Sequence, residues 1–155
     1  MPAMHPILVA EDEKDDVLLL ERAFRKAKIA NPFVTVQNGE EAVAYLSGRG
    51  RFADRGKYPL PILLLLDLKM PRLNGFELIS WVRQESSVRG LPLIVLTSSK
   101  QNPDITRAYE LGASTYLVKP VQFSGLVEML GHLHNFWLVL AELPGYAETN
   151  PPSAT

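Results

Sequence analysis

The chain contains no cysteine, so disulfide bonds and thiolate metal ligands are excluded. It has only three histidines, His5, His132 and His134, and none lies near its clustered acidic residues, so we expect no histidine ligand. The formal net charge is only -1, which gives no bulk attraction to nucleic acid or to anionic membranes. These absences leave carboxylate, hydroxyl and lysine chemistry as the candidates for function.

Long apolar runs are also missing, so no segment is expected to span a bilayer. Residues 1–6 lack the charged and apolar regions of a secretory signal. We therefore expect a cytoplasmic protein with no membrane and no nucleic-acid partner. The 155 residues, of which 46% are hydrophobic, suit one domain. We assign residues 1–143 to this domain and the proline-rich residues 144–155 to a loose tail.

Five short apolar segments are predicted as β-strands. The central segment, residues 62–66, is apolar throughout with no alternation, which is typical of a strand covered on both faces. The other strands are predicted at Ile7–Ala10, Phe33–Val36, residues 93–96 and Thr115–Val118.

Segments with the 3.6-residue spacing of helices separate and follow these strands. The predicted helices end near residue 28, cover 40–46, end near 86, cover 103–112 and extend from 122 to about 140. The glycine-rich, basic residues 47–57 are predicted to form a surface loop, either solvated or in contact with an acidic partner. Five alternations of strand and helix predict an α/β fold whose parallel five-stranded sheet carries helices on both faces.

Polar side chains stand where the predicted strands end. Glu11 and Asp12 follow the first strand, and Asp67, Thr97 and Lys119 follow the third, fourth and fifth. Because carboxyl ends of parallel strands meet at one edge, we expect these side chains to lie together. Taken alone, the stretch around Asp67 fits a ligand-site residue and a helix cap equally well.

Carboxylates packed together repel each other unless a cation lies among them. Oxygen ligands without histidine or cysteine favour a hard ion, and Mg²⁺ needs only one or two protein carboxylates. A lysine and a hydroxyl beside that ion would complete a pocket for a phosphoryl group. The pattern therefore predicts that the Asp67 carboxylate is a nucleophile that becomes an acyl phosphate.

Four motifs occur in order: Val-Ala-Glu-Asp-Glu, Leu-Leu-Asp-Leu-Lys-Met-Pro with a following Asn-Gly, Val-Leu-Thr-Ser-Ser, and Gly-Ala-Ser-Thr-Tyr-Leu-Val-Lys-Pro. With them the chain resembles, from Pro6 to about Trp137, the response-regulator receiver domains of two-component signalling. The resemblance implies a flavodoxin-like, doubly wound (βα)5 fold with strand order 2-1-3-4-5.

The resemblance also implies roles for the acidic residues. Asp67 matches the phosphoacceptor, Asp12 a direct Mg²⁺ ligand and Glu11 an acid that binds the ion through water. The backbone carbonyl of Lys69 matches a further metal ligand.

The remaining site residues match the signalling parts of the family. Thr97 matches the switch hydroxyl, and Tyr116 the aromatic residue that changes rotamer with it. Lys119 matches the phosphate-binding lysine, followed by a cis proline at Pro120.

Two features resemble a subgroup of single-domain receivers that partner phytochrome-type histidine kinases: the long connection 47–57 and the ending around residues 135–144. The expected input is therefore such a kinase. No DNA-binding output domain is expected, so the output would be a protein contact or onward phosphotransfer. The expected activity is that of a switch with slow self-catalysed phosphotransfer and autodephosphorylation.

Two other classes of function are alternatives to a receiver domain. A phosphohydrolase of the haloacid dehalogenase type also attacks with an aspartate after an apolar strand, but its second acid is replaced here by Lys69. A flavodoxin-like binding module needs a phosphate loop after the first strand, where Glu11, Asp12 and Glu13 would repel a cofactor phosphate.

Two apolar surfaces are predicted to bind proteins. On the first helix, Leu18 lies opposite the core-facing side, and we expect it to dock the kinase together with Arg22 and Arg25. On the last helix, a second apolar stripe predicts a homodimer, although the tail could cover it instead. The stripe consists of Met129, Phe136 and Leu140.

Overall fold

The computed structural model describes residues 5–140, with side chains described as far as Leu138. Its five strands form one parallel sheet in the order β2-β1-β3-β4-β5, which confirms the predicted fold class and strand order. The strands are β1 (Ile7–Ala10), β2 (Phe33–Val36), β3 (Leu63–Leu66), β4 (Leu93–Thr97) and β5 (Thr115–Val118). The predicted tail, residues 144–155, lies outside the described residues.

Strand β3 occupies the centre of the sheet, between β1 and β4. Its four leucines are at most 1% exposed, as the unbroken apolar run predicts. Because successive side chains point to opposite faces, Leu64 and Leu66 enter one core while Leu63 and Leu65 enter the other.

Five α-helices cover the two faces of the sheet. Buried residues of α1 and α5 share one core, and those of α2, α3 and α4 share the other. The helices are α1 (Lys14–Lys26), α2 (Gly39–Ser47), α3 (Gly75–Gln84), α4 (Asn102–Leu111) and α5 (Phe123–Leu133).

The first turn of α3 is closed by a capping box. The Asn74 side chain accepts a hydrogen bond from Glu77 N at 2.9 Å, and the Glu77 carboxylate accepts one from Asn74 N at 3.0 Å. Asn74 is therefore the cap of this helix. The alternative that Asp67 caps it is wrong.

The last helix differs from its prediction. The α-helix ends at Leu133, and His134–Leu140 continue it with the wider turns of a π-helix. Trp137 and Leu138 are adjacent in sequence, yet both pack against the core shared by α1 and α5. The uniform 3.6-residue spacing assumed from the sequence could not represent this change of helical turn.

The connection 47–57 is more ordered than a solvated loop. It contains a short 3-10 helix, Gly50–Phe52, and Phe52 is only 2% exposed. The Phe52 ring packs against Tyr45 and Tyr58, with ring centroids 5.0 and 5.2 Å away. One aromatic side chain therefore anchors the connection in the core.

Arg55 holds the same connection to the end of α2. Its guanidinium donates to the carbonyl oxygens of Tyr45 and Leu46 at 2.8 Å each, and to that of Tyr58 at 3.1 Å. These carbonyls include acceptors that the last turn of a helix leaves unsatisfied. Arg55 was predicted to be a solvated loop residue, and this prediction is wrong.

Strand β5 forms one edge of the sheet. The hydroxyl of Tyr109, on α4, accepts a hydrogen bond from Tyr116 N at 2.9 Å.

Among the described helices, none combines the length and the apolar character needed to cross a membrane.

Candidate functional site

Backbone hydrogen bonds extend the sheet beyond its strands and bring the polar residues to one edge. Glu11 N donates to Val36 O at 3.0 Å, and Asp67 N donates to Ala10 O at 3.1 Å. Lys119 N donates to Thr97 O at 2.8 Å. The positions of the acids, the threonine and the lysine therefore follow from the strand order.

Three carboxylates gather at this edge. Glu11, Asp12 and Asp67 each offer one oxygen, and the three oxygens lie within 4.8 Å of one another. Glu11 is almost entirely buried, at 3% exposure. A partly buried group of oxygen donors with surplus negative charge suits a hard divalent cation, so these residues fit the predicted Mg²⁺.

Lys119 places an ammonium group against the same acids. Its Nζ donates to Glu11 Oε1 at 2.7 Å, to Asp16 Oδ2 at 2.9 Å and, more weakly, to Asp67 Oδ2 at 3.5 Å. Its side chain is 16% exposed, so little water competes for these contacts. Lys119 thus reaches the candidate phosphoacceptor as the sequence predicts.

The pKa values of Glu11 and Lys119 reflect burial together with the charges gathered at this edge. Burial raises the pKa of Glu11, and the nearby Asp67 adds to this, while the hydrogen bond from Lys119 opposes it. Burial alone would lower the pKa of Lys119, but its contacts with Glu11, Asp16 and Asp67 outweigh burial and raise it. Both groups therefore bind protons more readily than usual, Glu11 chiefly because it is buried and Lys119 because it faces three acids.

The Asp67 carboxylate has two unequal oxygens. Oδ1 accepts a hydrogen bond from Leu68 N at 2.7 Å, whereas Oδ2 faces Lys119. A side-chain carbon at Gly75 would collide with Asp67 O and with Leu68, so only glycine lets α3 begin this close to the candidate phosphoacceptor. The Asp67 side chain is 13% exposed and remains within reach of solvent.

Thr97 and Tyr116 are connected through Ser99. Ser99 N donates to Thr97 Oγ1 at 3.5 Å, and the Tyr116 hydroxyl donates to Ser99 O at 2.9 Å. Burial raises the pKa of Tyr116. Ser99 Oγ in turn donates to Asp104 Oδ2 at 2.6 Å, which ties the loop to α4.

One predicted feature of this edge is wrong. Within residues 5–140 no peptide bond is cis, so Lys119 and Pro120 are joined by a trans bond. The trans form is intrinsically favoured before proline by about 0.5–1 kcal/mol.

The Lys69 side chain is exposed, and metal ligation by its carbonyl stays a prediction.

The predicted kinase-docking residues lie on the outer side of α1. Leu18 is 57% exposed, as expected, and Arg25 is exposed as well. The Arg22 guanidinium stacks over the Phe123 ring of α5, 5.2 Å from its centroid. Arg22 is nevertheless exposed, so all three predicted docking residues are accessible on this side of α1.

The predicted dimer residues are placed unevenly. Phe136 is 56% exposed, whereas Met129 is partly buried against the core. The Leu140 side chain lies outside the described side chains. Met129 and Phe136 also line an open groove of about 490 Å³ beside Leu117 of β5.

Two residues of the site escaped the sequence analysis. Asp16 was given no role, because its contact with Lys119 depends on how α1, which begins at Lys14, follows the loop after β1. Ser99 was included only in the Val-Leu-Thr-Ser-Ser motif, and the contact made by its backbone carbonyl leaves no signal in the sequence.

The family model described as the response regulator receiver domain matches residues 7–131. The probable methanogenesis regulatory protein FilR2 of Methanothrix harundinacea is 32% identical over 91% of this chain and 88% of its own. Response regulator Rcp1 of Synechocystis is 31% identical over 89% of this chain and 92% of its own.

Solved structures give the same family. Response regulator RPA3017, described in red light signaling of R. palustris, shares 42% identity and a TM-score of 0.88, covering 92% of this chain and 99% of that one. The phosphorylated cyanobacterial phytochrome response regulator RcpA shares 32% identity and a TM-score of 0.84, covering 92% and 100%. The Mn²⁺-bound form of Rcp1 shares 30% identity and a TM-score of 0.80, covering 91% and 99%. This chain therefore belongs to the response regulator receiver domain family.

Proposed function

We propose that this receiver domain accepts a phosphoryl group from a histidine kinase on Asp67 and thereby switches a protein-binding surface. The observation that carries the proposal is the convergence of Glu11, Asp12 and Lys119 on the Asp67 carboxylate. The phosphorylated structure of RcpA, a relative of the same fold, supports the same chemistry.

In the proposed step an oxygen of Asp67 attacks the phosphorus of a phosphohistidine. The new oxygen–phosphorus bond forms as the phosphorus–nitrogen bond breaks, and the imidazole leaves with the electron pair. Glu11, Asp12, Asp67 and the Lys69 carbonyl would hold Mg²⁺, which would neutralise charge on the phosphoryl oxygens. The Mn²⁺-bound form of Rcp1 supports a divalent ion in this family. Lys119 and Thr97 would each bind one phosphoryl oxygen.

The phosphoryl group would be read through Thr97. The Thr97 hydroxyl would be drawn toward the phosphoryl anion. This movement would shift the loop that contains Ser99, whose backbone carbonyl accepts the hydrogen bond from the Tyr116 hydroxyl. Tyr116 would then repack, giving two arrangements whose balance depends on the phosphate. The readout would be contact with a downstream protein or onward transfer of the phosphoryl group.

The proposed kinase is of the phytochrome type and acts in the cytoplasm. RcpA, named a phytochrome response regulator, and RPA3017, assigned to red light signaling, support this input. The kinase would dock on α1 around Leu18, Arg22 and Arg25, because the exposed leucine offers apolar surface beside two cationic residues.

A homodimer is proposed through the end of the last helix. Phe136 is a large exposed aromatic side chain, and the adjoining groove leaves Met129 and Leu117 partly uncovered. The sequence also predicts Leu140 for this interface, at a position whose side chain lies outside the described ones. A second copy would cover these side chains by symmetric contact.

Labelling with acetyl phosphate tests the proposal. We expect Asp67 to take up one phosphoryl group in a Mg²⁺-dependent reaction, giving a hydroxylamine-sensitive product without multiple turnovers. Asp67→Asn should abolish the label, because an amide replaces the nucleophilic carboxylate. Asp15→Asn, which removes an exposed aspartate of α1, is the matched control and should keep it. Label that survives Asp67→Asn, or rapid turnover as in a phosphohydrolase, would contradict the proposal.

A further inference from the structure

Asp16 binds the lysine of the site although it stands outside the group of potential metal ligands. It lies in the first turn of α1 and accepts a hydrogen bond from Lys119 Nζ at 2.9 Å. The three carboxylates that can share a metal ion are Glu11, Asp12 and Asp67. The contact with Asp16 thus joins α1 directly to Lys119 at the end of β5.

The ammonium group of Lys119 has three N–H donors, and three carboxylates occupy them: Glu11, Asp16 and Asp67. A phosphoryl group on Asp67 would bring further acceptor oxygens to the same ammonium. Lys119 can bind them well only by weakening a contact that it already has.

The exposure of the three carboxylates favours release of Asp16. The Glu11 side chain is 2% exposed, so breaking its contact with Lys119 would strand a buried charge. The Asp16 side chain is 37% exposed, so its carboxylate regains water when the contact breaks. Asp67 itself carries the incoming group. Asp16 is therefore the partner that costs least to exchange.

We propose that Asp16 is a positioning residue that holds Lys119 in the unphosphorylated protein and competes with the phosphoryl group for it. This inference rests on the proposed phosphorylation of Asp67. Phosphorylation would then release the first turn of α1 from β5, two residues before the exposed Leu18. The state of the site is thereby communicated to the helix proposed to dock the kinase.

Beryllofluoride, a mimic of the phosphoryl group, tests this role in the full chain with Mg²⁺. Its affinity is measured by calorimetry for the wild type, Asp16→Asn and Asp15→Asn. Asp15 is an exposed carboxylate of the same helical turn, so both variants lose one negative charge close to the site. We expect Asp16→Asn to bind beryllofluoride about three- to tenfold more tightly than Asp15→Asn, because only it frees a donor of Lys119. Labelling by acetyl phosphate should accelerate in the same order.

Equal or weaker beryllofluoride binding by Asp16→Asn, relative to Asp15→Asn, would overturn the proposal. A purely structural role would lower the melting temperature of Asp16→Asn and leave its relative affinity unchanged. If the wild type accepts neither label nor mimic, the proposed function fails and this inference fails with it. If the wild type accepts both and the two variants behave alike, only this inference fails.

Discussion

Tyr45 on α2 shows how one buried hydroxyl makes stability depend on pH. Its side chain is fully buried, and its hydroxyl donates to Pro59 O at 2.8 Å. Burial raises the pKa of Tyr45 from 10.0 to about 12, because the phenolate would lose its hydration. A raised pKa means that the folded state holds this proton more tightly than the unfolded chain. The resulting stabilisation is complete below pH 10 and is lost as pH rises through about 12.

We expect the free energy of unfolding in urea to fall between pH 10 and about 12 in part because of Tyr45. Tyr45→Phe, which lacks the titrating hydroxyl, should lose about 1 kcal/mol at neutral pH and show a shallower alkaline decline. The difference between the two pH profiles isolates Tyr45 from the other tyrosines and lysines. Parallel profiles would show that the raised pKa is not coupled to folding.

At the site, the residues that could be predicted from the sequence are those whose positions follow from strand ends. Glu11, Asp67 and Lys119 come together because parallel strands end at one edge, and that edge can be predicted from apolar runs. Asp16 could not be placed in the same way, because its contact depends on how α1 leaves the sheet. The trans isomer of the peptide bond between Lys119 and Pro120 was also not predicted, because residue type alone does not specify the isomer.

Among the elements, α1 carries the proposed kinase-docking surface, and Leu18 is its most exposed large apolar residue. Leu18→Asp should reduce phosphotransfer from the cognate kinase about tenfold or more, because a charge replaces apolar contact area. Labelling by acetyl phosphate should be unchanged, since Leu18 does not touch Asp67. Both rates are measured by phosphate incorporation under the same conditions.

Leu19→Asp is the control for this experiment. Leu19 is also exposed, at 40%, and the same substitution there makes the same change of charge one position along α1. Its kinase-dependent rate should fall less than that of Leu18→Asp. An equal loss of both reactions in Leu18→Asp would indicate damage to the fold rather than to docking.

Element boundaries were predicted best where the pattern depends on short-range chemistry. β2 and β5 were predicted at their observed bounds, because apolar or β-branched runs are flanked by breakers on both sides. The connection 47–57 was predicted poorly, because Phe52 is one aromatic residue without a repeating pattern. Its burial depends on Tyr45 and Tyr58, which come together only in the folded molecule.

For the whole molecule, the proposed homodimer can be tested by sedimentation. We expect the wild type to be dimeric at micromolar concentrations and Phe136→Glu to shift toward the monomer. The reason is that Phe136 is a large exposed aromatic residue on the proposed interface, where a buried charge would be costly. Val121→Glu, at a fully exposed position before α5, is the matched control and should remain dimeric. A monomeric wild type, with or without beryllofluoride, would contradict the dimer.

The order of the strands in the sheet could be predicted only in part from local sequence patterns. Alternation of strand and helix predicts a parallel sheet, and the unbroken leucine run 63–66 predicts its centre. The order of the outer strands came from resemblance to the family, because no local pattern states which strand lies beside which. The structure confirms that order.

The bond between Tyr109 and the backbone of Tyr116 has a consequence for solubility. Edge strands with free amides can recruit strands from other molecules, which leads to aggregation or to runaway sheet extension. Here one amide of the β5 edge is already occupied by a hydroxyl from α4 of the same molecule. A strand from another molecule would have to displace the Tyr109 hydroxyl before it could pair with this amide. The Tyr109 hydroxyl therefore opposes the addition of a further strand at this position of the β5 edge.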